Sequence, residues 1–166
     1  MTTENEFEII YNTHASKVYR VCLGYASGNN DLANEWLQET FIKVWKHKNS
    51  FKGNASIDTW IYRIAVNVCL SDLRKSRKNM TLNEHFISNM SIDDNDRDNE
   101  DEEKKLKKMH HCINLLSEQN KALILLELEN IPQATIANTV GLANGTLRTR
   151  LSRIRKSLLK CIKNGK

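Results

Sequence analysis

Glycine and proline, the residues that most often interrupt a helix, are rare in this chain: there are six glycines and one proline among 166 residues. Apolar residues recur instead every three or four positions, the period that places them on one face of an α-helix. The alternation of apolar and polar residues that marks a half-buried strand is nowhere sustained. The sequence therefore predicts an all-α protein.

Turn residues divide the first half of the chain into three helices. Apolar stripes predict helices over 4–26, 32–45 and 57–78, separated by a turn cluster at 27–31 and a loop at 49–56. On the second helix Leu32, Trp36, Leu37, Phe41, Val44 and Trp45 are spaced for burial.

The second half has clear helix boundaries. A helical pattern resumes at about Lys104, and Ser117 is suited to cap a helix over 118–130. Pro132 favours the start of a helix that ends at Gly141, because proline lacks an N–H and glycine accepts a left-handed backbone. The segment Asn144-Gly145-Thr146 opens the last helix.

Charge divides the chain into three parts. Residues 1–79 carry 11 basic and 8 acidic side chains, 80–103 carry 1 and 9, and 104–166 carry 13 and 3. The acidic stretch NDRDNEDEE has no apolar residue and cannot bury enough surface to offset its ordering entropy. We therefore expect two small helical domains, 1–79 and 108–166, joined by a flexible acidic linker over 80–107.

The cysteines are widely spaced, with no CxxC motif and no nearby histidine pattern. We expect free thiols that act as small hydrophobic residues, with no disulfide, no metal and no cofactor. No apolar run approaches the ~20 residues of a membrane span, and no signal segment is apparent. The expected location is the cytoplasm. The four residues are Cys22, Cys69, Cys112 and Cys161.

The last helix is apolar on one side and cationic on the other. After Glu129 the chain has no acidic residue but eight lysines and arginines. At about 100° per residue, Leu147, Leu151, Ile154, Leu158 and Ile162 share one side. The opposite side holds Thr149, Ser152, Arg153 and Lys156, flanked by Arg148 and Arg155. A short helix and a glycine turn precede this helix, which predicts a helix-turn-helix that reads a DNA major groove.

A second candidate site lies on the helix 57–78, beside its predicted core stripe of Ile57, Ile61, Ile64 and Val68. An aromatic ring, cations and an amide on one side of a helix suit unstacked bases, which stack on the ring while phosphates bind the cations. A tryptophan at such a position is equally compatible with a place in the core. The stripe consists of Trp60, Arg63, Asn67, Ser71 and Arg74.

Three motifs, LQETFIKVW, TWIYRIAVN and GTLRTRLSRIRKSL, together resemble the bacterial RNA polymerase sigma factors. The first two are similar to region 2 of that family and the third to region 4. With only a linker between the two regions, the chain most resembles the extracytoplasmic-function subfamily. This resemblance implies a non-enzymatic protein with three partners: core RNA polymerase, promoter DNA and an anti-sigma factor.

The resemblance also implies site residues. The polymerase would be bound by Asn34, Glu35, Gln38 and Glu39 on the second helix. The melted minus-ten element would be held by Phe51, Trp60, Arg63, Asn67 and Ser71, to which the helical stripe adds Arg74. The minus-thirty-five element would be read by Arg148, Thr149, Ser152 and Arg153, with Lys156 on the same face. No catalytic residue is implied.

Two other functions remain open from the residues alone. A stand-alone helix-turn-helix repressor or activator would bind its operator tightly without polymerase. A nucleic-acid-processing enzyme would need clustered carboxylates or a metal motif on a rigid scaffold, whereas the acidic residues here concentrate in the predicted linker.

Overall fold

The structure is a computed structural model and describes residues 4–53, 55–79 and 100–164. Within these ranges the chain forms α-helices and one 3₁₀ turn, without a strand, so the all-α prediction is confirmed. No described helix is long and apolar enough to cross a membrane. The helices are α1 (Glu4–Tyr25), α2 (Asn30–Lys46), α3 (Ile57–Asn79), α4 (Glu100–Asn114), α5 (Glu118–Leu128), α6 (Gln133–Val140) and α7 (Asn144–Asn164), with the 3₁₀ turn at Lys48–Ser50.

Part of the predicted linker is helical. Helix α4 begins at Glu100, four residues before the helical pattern predicted from about Lys104, so the expectation of a flexible linker is wrong over 100–107. Acidic residues fill the first turn of α4 and lysines follow, which suits the helix dipole and sets Glu103 four residues before Lys107. A segment that is too polar to form a compact core can therefore still favour a helix when its acidic residues precede its basic ones. The rest of the predicted linker, 80–99, lies outside the described residues.

Helices α1, α2 and α3 form the N-terminal bundle. Side chains cap two of them: Asn29 Oδ1 accepts from the Leu32 amide at 3.1 Å, and Ser56 Oγ accepts from the Thr59 amide at 3.2 Å. These caps replace backbone partners that the first turn of a helix lacks. The core of the bundle includes Trp36, whose Nε1 donates to Asp72 Oδ2 at 2.8 Å.

Helices α4 to α7 form the C-terminal bundle, in which the predicted starts of α5, α6 and α7 are confirmed, whereas α5 ends at Leu128, before the predicted bound of 130. Ser117 Oγ accepts from the Asn120 amide at 3.2 Å and starts α5, and Pro132 immediately precedes α6. Gly141 ends α6 at φ 76°, and its N–H donates to the Ala137 oxygen at 2.8 Å. This left-handed residue turns the chain from α6 into α7 and creates the helix-turn-helix.

The expectation of four free cysteines is wrong for one pair. A disulfide joins Cys112 of α4 to Cys161 of α7, with their Cα atoms 6.0 Å apart. The two cysteines are 49 positions apart and give no local signal, because only the packing of α4 on α7 brings them together. Cys22 and Cys69 are free and buried, as expected. Cys69 Sγ donates to Cys22 Sγ at 3.6 Å, and this hydrogen bond together with burial raises the pKa of Cys69.

The two bundles pack against each other and share one hydrophobic core. Helix α6 lies on α3, and α5 touches α1. Gly24 of α1 faces Leu125 of α5 so closely that a Cβ atom there would come within 2.4 Å of a leucine methyl group. The described parts of the two predicted domains are therefore in direct contact.

Candidate nucleic-acid and polymerase interface

Helix α7 presents the cationic face that its spacing predicts. The apolar side is seated on α4, α5 and α6, with Leu147 and Leu151 fully buried and Ile162 half-buried at the edge. Because these residues hold one side of the helix in the core, the opposite side is turned outward. The exposed residues there are Arg148, Thr149, Ser152, Arg153 and Lys156.

Helix α5 supplies partners for α7 that the sequence did not reveal. Arg155 forms an ion pair with Glu127, and this hydrogen bond raises the pKa of Arg155. Arg150 Nη1 donates to Gln119 Oε1 at 2.6 Å. The absence of acidic residues after Glu129 suggested an uncompensated cationic helix, but α5 orients these two arginines. The arginines of the predicted DNA contact, Arg148 and Arg153, take no part in those pairs.

The minus-ten candidates on α3 begin at an aromatic pair. The ring centroids of Phe51 and Trp60 lie 5.1 Å apart with a 36° tilt. Both side chains are half-buried, which leaves ring surface accessible, and Asn67 and Ser71 are exposed further along α3. An accessible ring beside an amide and a hydroxyl can stack on one base and hydrogen-bond to its edge.

The two arginines of the same stripe are bound by the C-terminal bundle. Arg63 donates to the backbone oxygens of Asn138 and Thr139 at the end of α6, the latter at 3.2 Å from Nε. Arg74 Nη2 lies 2.7 Å from Glu118 Oε2 at the start of α5. The predicted minus-ten residues other than Phe51 therefore share one face of α3, but Arg63 and Arg74 already have protein partners there.

Helix α2 presents the side chains predicted to bind polymerase. Asn34, Glu35, Gln38 and Glu39 are all exposed, and Lys43 Nζ lies 3.8 Å from Glu39 Oε1. The face is flanked by two apolar residues that do not belong to the predicted set.

Ile42 and Trp45 extend this face toward the end of α2. They are 52% and 37% exposed, so the expectation that Trp45 is buried is wrong. The Lys48 ammonium covers the Trp45 ring, 2.9 Å from its centroid, and Phe7 packs against it edge-on. Helical spacing places Ile42 four residues after Gln38, which is the signal that could have identified it. Exposed large apolar residues beside polar ones are typical of an interaction surface.

Comparison with known families matches both bundles. The model of sigma-70 region 2 matches residues 10–79, and the model of sigma-70 region 4 matches residues 106–158. The chain belongs to the extracytoplasmic-function group of RNA polymerase sigma factors. Sigma factors are regulatory, non-catalytic proteins that support promoter-specific initiation through RNA polymerase.

Individual relatives span nearly the whole chain. An extracytoplasmic-function sigma factor SigM of Mycobacterium tuberculosis is 24% identical over 94% of this chain and 76% of its own length. The sigma-E factor of Haemophilus influenzae is 28% identical over 92% of this chain and 85% of its own length. Among solved structures, the sigma factor RpoE of Bartonella quintana, crystallised with the anti-sigma factor NepR, has the same fold, with a TM-score of 0.72. It is 23% identical in sequence, and the match covers 95% of this chain and 97% of that one.

Proposed function

We propose that this sigma factor recognises a promoter through two DNA contacts made by different bundles while α2 is held by core RNA polymerase. The observation that carries the proposal is the outward display of one polar or cationic face by each of α2, α3 and α7 on a shared core. No reaction is needed in this scheme, because binding energy alone selects the promoter and stabilises the opened strand. The protein would act in the cytoplasm, where the polymerase works.

The minus-thirty-five contact is assigned to α7. Its N-terminal turns carry Arg148, Thr149, Ser152 and Arg153, the part of a recognition helix that reaches base edges in the major groove. An arginine bound to a guanine edge discriminates against other bases by about 1–3 kcal/mol. Lys156, one turn further along, is suited to a phosphate, which adds affinity without sequence preference.

The minus-ten contact is assigned to α3 and the preceding loop. Extruding a base from the duplex costs a few kcal/mol, and stacking on an aromatic ring returns about 1–3 kcal/mol per base. Trp60, backed by Phe51, would provide the ring, while Asn67 and Ser71 would bind base edges. Arg63 and Arg74 would bind phosphates once their present partners withdraw.

The polymerase contact is assigned to α2. Asn34, Glu35, Gln38 and Glu39 offer hydrogen bonds and negative charge, and Ile42 and Trp45 offer apolar surface beside them. An aromatic anchor within a polar rim is the usual composition of a specific protein interface. Because the Bartonella relative was crystallised with an anti-sigma factor, we also propose a partner of that class for this chain.

Run-off transcription with purified core polymerase and genomic DNA fragments tests the proposal. The wild-type protein should start transcripts, whereas Asn67→Ala should retain binding to closed promoter complexes but show weaker permanganate reactivity of the melted strand. The matched control is Asn12→Ala, which removes the same exposed amide from α1. Normal melting with Asn67→Ala would contradict the assignment of the minus-ten contact.

A gel shift with and without core polymerase separates this function from that of a stand-alone repressor. A sigma factor should form a tight promoter-specific complex only with polymerase present, and should bind the same DNA much more weakly without it. Tight binding to one operator by the isolated protein would favour the repressor instead.

A further inference from the structure

A buried histidine of α1 lies against the first turn of α3. His14 is 6% exposed, and its Nε2 atom lies 2.6 Å from Asp58 Oδ1. Its Nδ1 atom lies 2.9 Å from the backbone oxygen of Ile10, one turn earlier on α1. A carboxylate and a carbonyl oxygen only accept hydrogen bonds, so both ring nitrogens donate when both bonds are formed, and the ring is then a cation. The bond to Asp58 is therefore an ion pair between two helices.

Ring packing holds the same histidine from another side. The His14 ring meets the Tyr62 ring edge-on, with 6.2 Å between the centroids and 73° between the planes. Tyr62 lies one helical turn after Asp58 and is itself buried. Burial and the negative charge of Asp58 raise the pKa of Tyr62 to about 12, so the phenol stays neutral beside the ion pair. His14 thus contacts two successive turns of α3.

Asp58 occupies the turn of α3 at which the stripe from Trp60 to Arg74 begins. The first turn of a helix carries partial positive charge, which favours a carboxylate there. Ser56 caps the same turn. Trp60 follows two residues after Asp58 and packs on Phe51 of the preceding loop, with 5.1 Å between the ring centroids. The bond from α1 therefore fixes the turn that carries the ring proposed to stack on a base.

A second hydrogen bond ties the far part of the stripe within the same bundle. Trp36 Nε1 of α2 donates to Asp72 Oδ2 at 2.8 Å, and Asp72 directly follows Ser71. The exposed Asn67 and Ser71 thus lie on a helix that is tied to α1 at its start and to α2 further along. Binding groups that are placed before the ligand arrives bind it more tightly, because no further ordering is needed.

From this geometry we propose that His14 is a positioning residue for the minus-ten contact. It acts through Asp58 and holds the first turn of α3 in the orientation that presents Trp60 to an extruded base. The proposal rests on the assignment of the minus-ten contact to α3. His14 itself touches no DNA, since its side chain is buried between α1 and α3.

The sign of one effect separates positioning from simple electrostatics. The Asp58 side chain is 50% exposed beside a face proposed to bind a polyanion. A carboxylate that acted only through its charge would repel phosphates, so its removal would strengthen capture of the strand. A carboxylate that anchors His14 predicts the opposite, because its removal frees the first turn of α3.

Promoter melting by the full chain with core polymerase tests the proposal on a fragment selected by run-off transcription. The melting ratio is the permanganate reactivity of the melted strand divided by the promoter bound in a gel shift in the cold, where the duplex stays closed. This division removes effects on polymerase binding. His14→Leu and Asp58→Ala should each lower the ratio about tenfold, the factor expected for loss of a hydrogen bond between charged groups. The double variant should lose no more than either single variant, because both remove the same bond.

Conservative variants restore the bond, and matched controls make the same changes elsewhere. His14→Gln keeps a donor toward Asp58, and Asp58→Asn keeps an acceptor toward His14, so both should retain most of the wild-type melting ratio. His111→Leu, at an exposed site of α4, and Asp31→Ala, in the first turn of α2, should behave as wild type. If His14→Leu fails to fold by circular dichroism, Asp58→Ala decides, because it changes the half-exposed end of the bond.

An unchanged or raised melting ratio in folded Asp58→Ala would overturn the positioning role. A loss in Asp58→Ala that persists equally in Asp58→Asn would also overturn it, because the charge rather than the bond would then matter. Both results require a wild-type protein that starts transcripts, and they leave the proposed function intact. A wild-type protein that starts none, or normal melting with Asn67→Ala, overturns the proposed minus-ten contact and the positioning role with it.

Discussion

Helices α3 and α7 both carry a cationic face predicted to bind DNA, but their tertiary contacts differ. On α7 the residues at the predicted base contact, Arg148 and Arg153, are exposed to solvent. On α3 the corresponding cations, Arg63 and Arg74, are bound by the other bundle. The two arginines of the α3 face are thus hydrogen-bonded to the other bundle, although the face itself is exposed, whereas Arg148 and Arg153 of α7 take no part in the pairs with α5. Two helix faces with similar composition can therefore differ in whether their arginines already have protein partners.

The largest expected effect is the loss of stability when the disulfide between α7 and α4 is removed. Cys161→Ala removes the disulfide to Cys112. A disulfide lowers the conformational entropy of the unfolded chain, and for a separation of 49 residues its removal should lower the free energy of unfolding of the C-terminal bundle by about 4 kcal/mol. Urea denaturation, followed by circular dichroism with and without a reductant, measures the loss. Reductant should lower the midpoint of wild type but not that of the variant; an unchanged wild-type midpoint would show that the disulfide does not stabilise α7.

Two alanine variants with a smaller expected effect compare the face of α7 with the face of α3 directly. Arg153→Ala should weaken polymerase-free binding to double-stranded DNA by about 1–3 kcal/mol, because Arg153 is exposed on the predicted contact face of α7. Arg63→Ala should leave that binding nearly unchanged, because Arg63 is held by α6. Anisotropy titrations at several salt concentrations measure both. Lys163→Ala, at the far end of α7, is the control, and an equal loss with Arg63→Ala would remove the distinction between the faces.

Acid should weaken the ion pair that joins Arg74 of α3 to Glu118 of α5. Hydrogen bonding to Arg74 lowers the pKa of Glu118 in the folded protein, so its contribution to stability is present above the ordinary carboxyl pKa of about 4.3 and is lost as the pH falls through the lowered value. Scattering in this acidic range should show expansion that is reduced in Glu118→Gln, which lacks the titrating group. The same expansion in both proteins would assign the change to other carboxylates.

The smallest effect on stability is expected on α2. Glu39→Gln removes an exposed pair with Lys43, four residues apart on one helix, and should change the free energy of unfolding by about 0.3 kcal/mol. If affinity for core polymerase, measured by a pull-down titration, falls by more than this small change in stability, the loss would come from the contact between Glu39 and the polymerase. Unchanged polymerase binding would remove Glu39 from the proposed interface.

Local patterns in the sequence were sufficient for the helices and for the face of α7. Apolar spacing identified Leu147 and Leu151 as the buried side, and Ser117 and Gly141 marked helix ends, because caps and helical periodicity involve residues only a few positions apart. The same reasoning placed the helix start at about Lys104 and the end of the linker at 107, whereas α4 already begins at Glu100. Charge order along α4 favours a helix there, and the spacing of acids and lysines was already visible in the sequence.

The sequence alone determined which segments of this sigma factor are helical, most of the residues that each helix buries, and the family motifs, since these depend on neighbours along the chain. Only the tertiary structure decided that Cys112 meets Cys161, that Glu127 pairs with Arg155 and that Glu118 binds Arg74. Each of these contacts joins residues at least 28 positions apart. Such pairs depend on how whole helices pack, and no periodicity of a single helix contains that information.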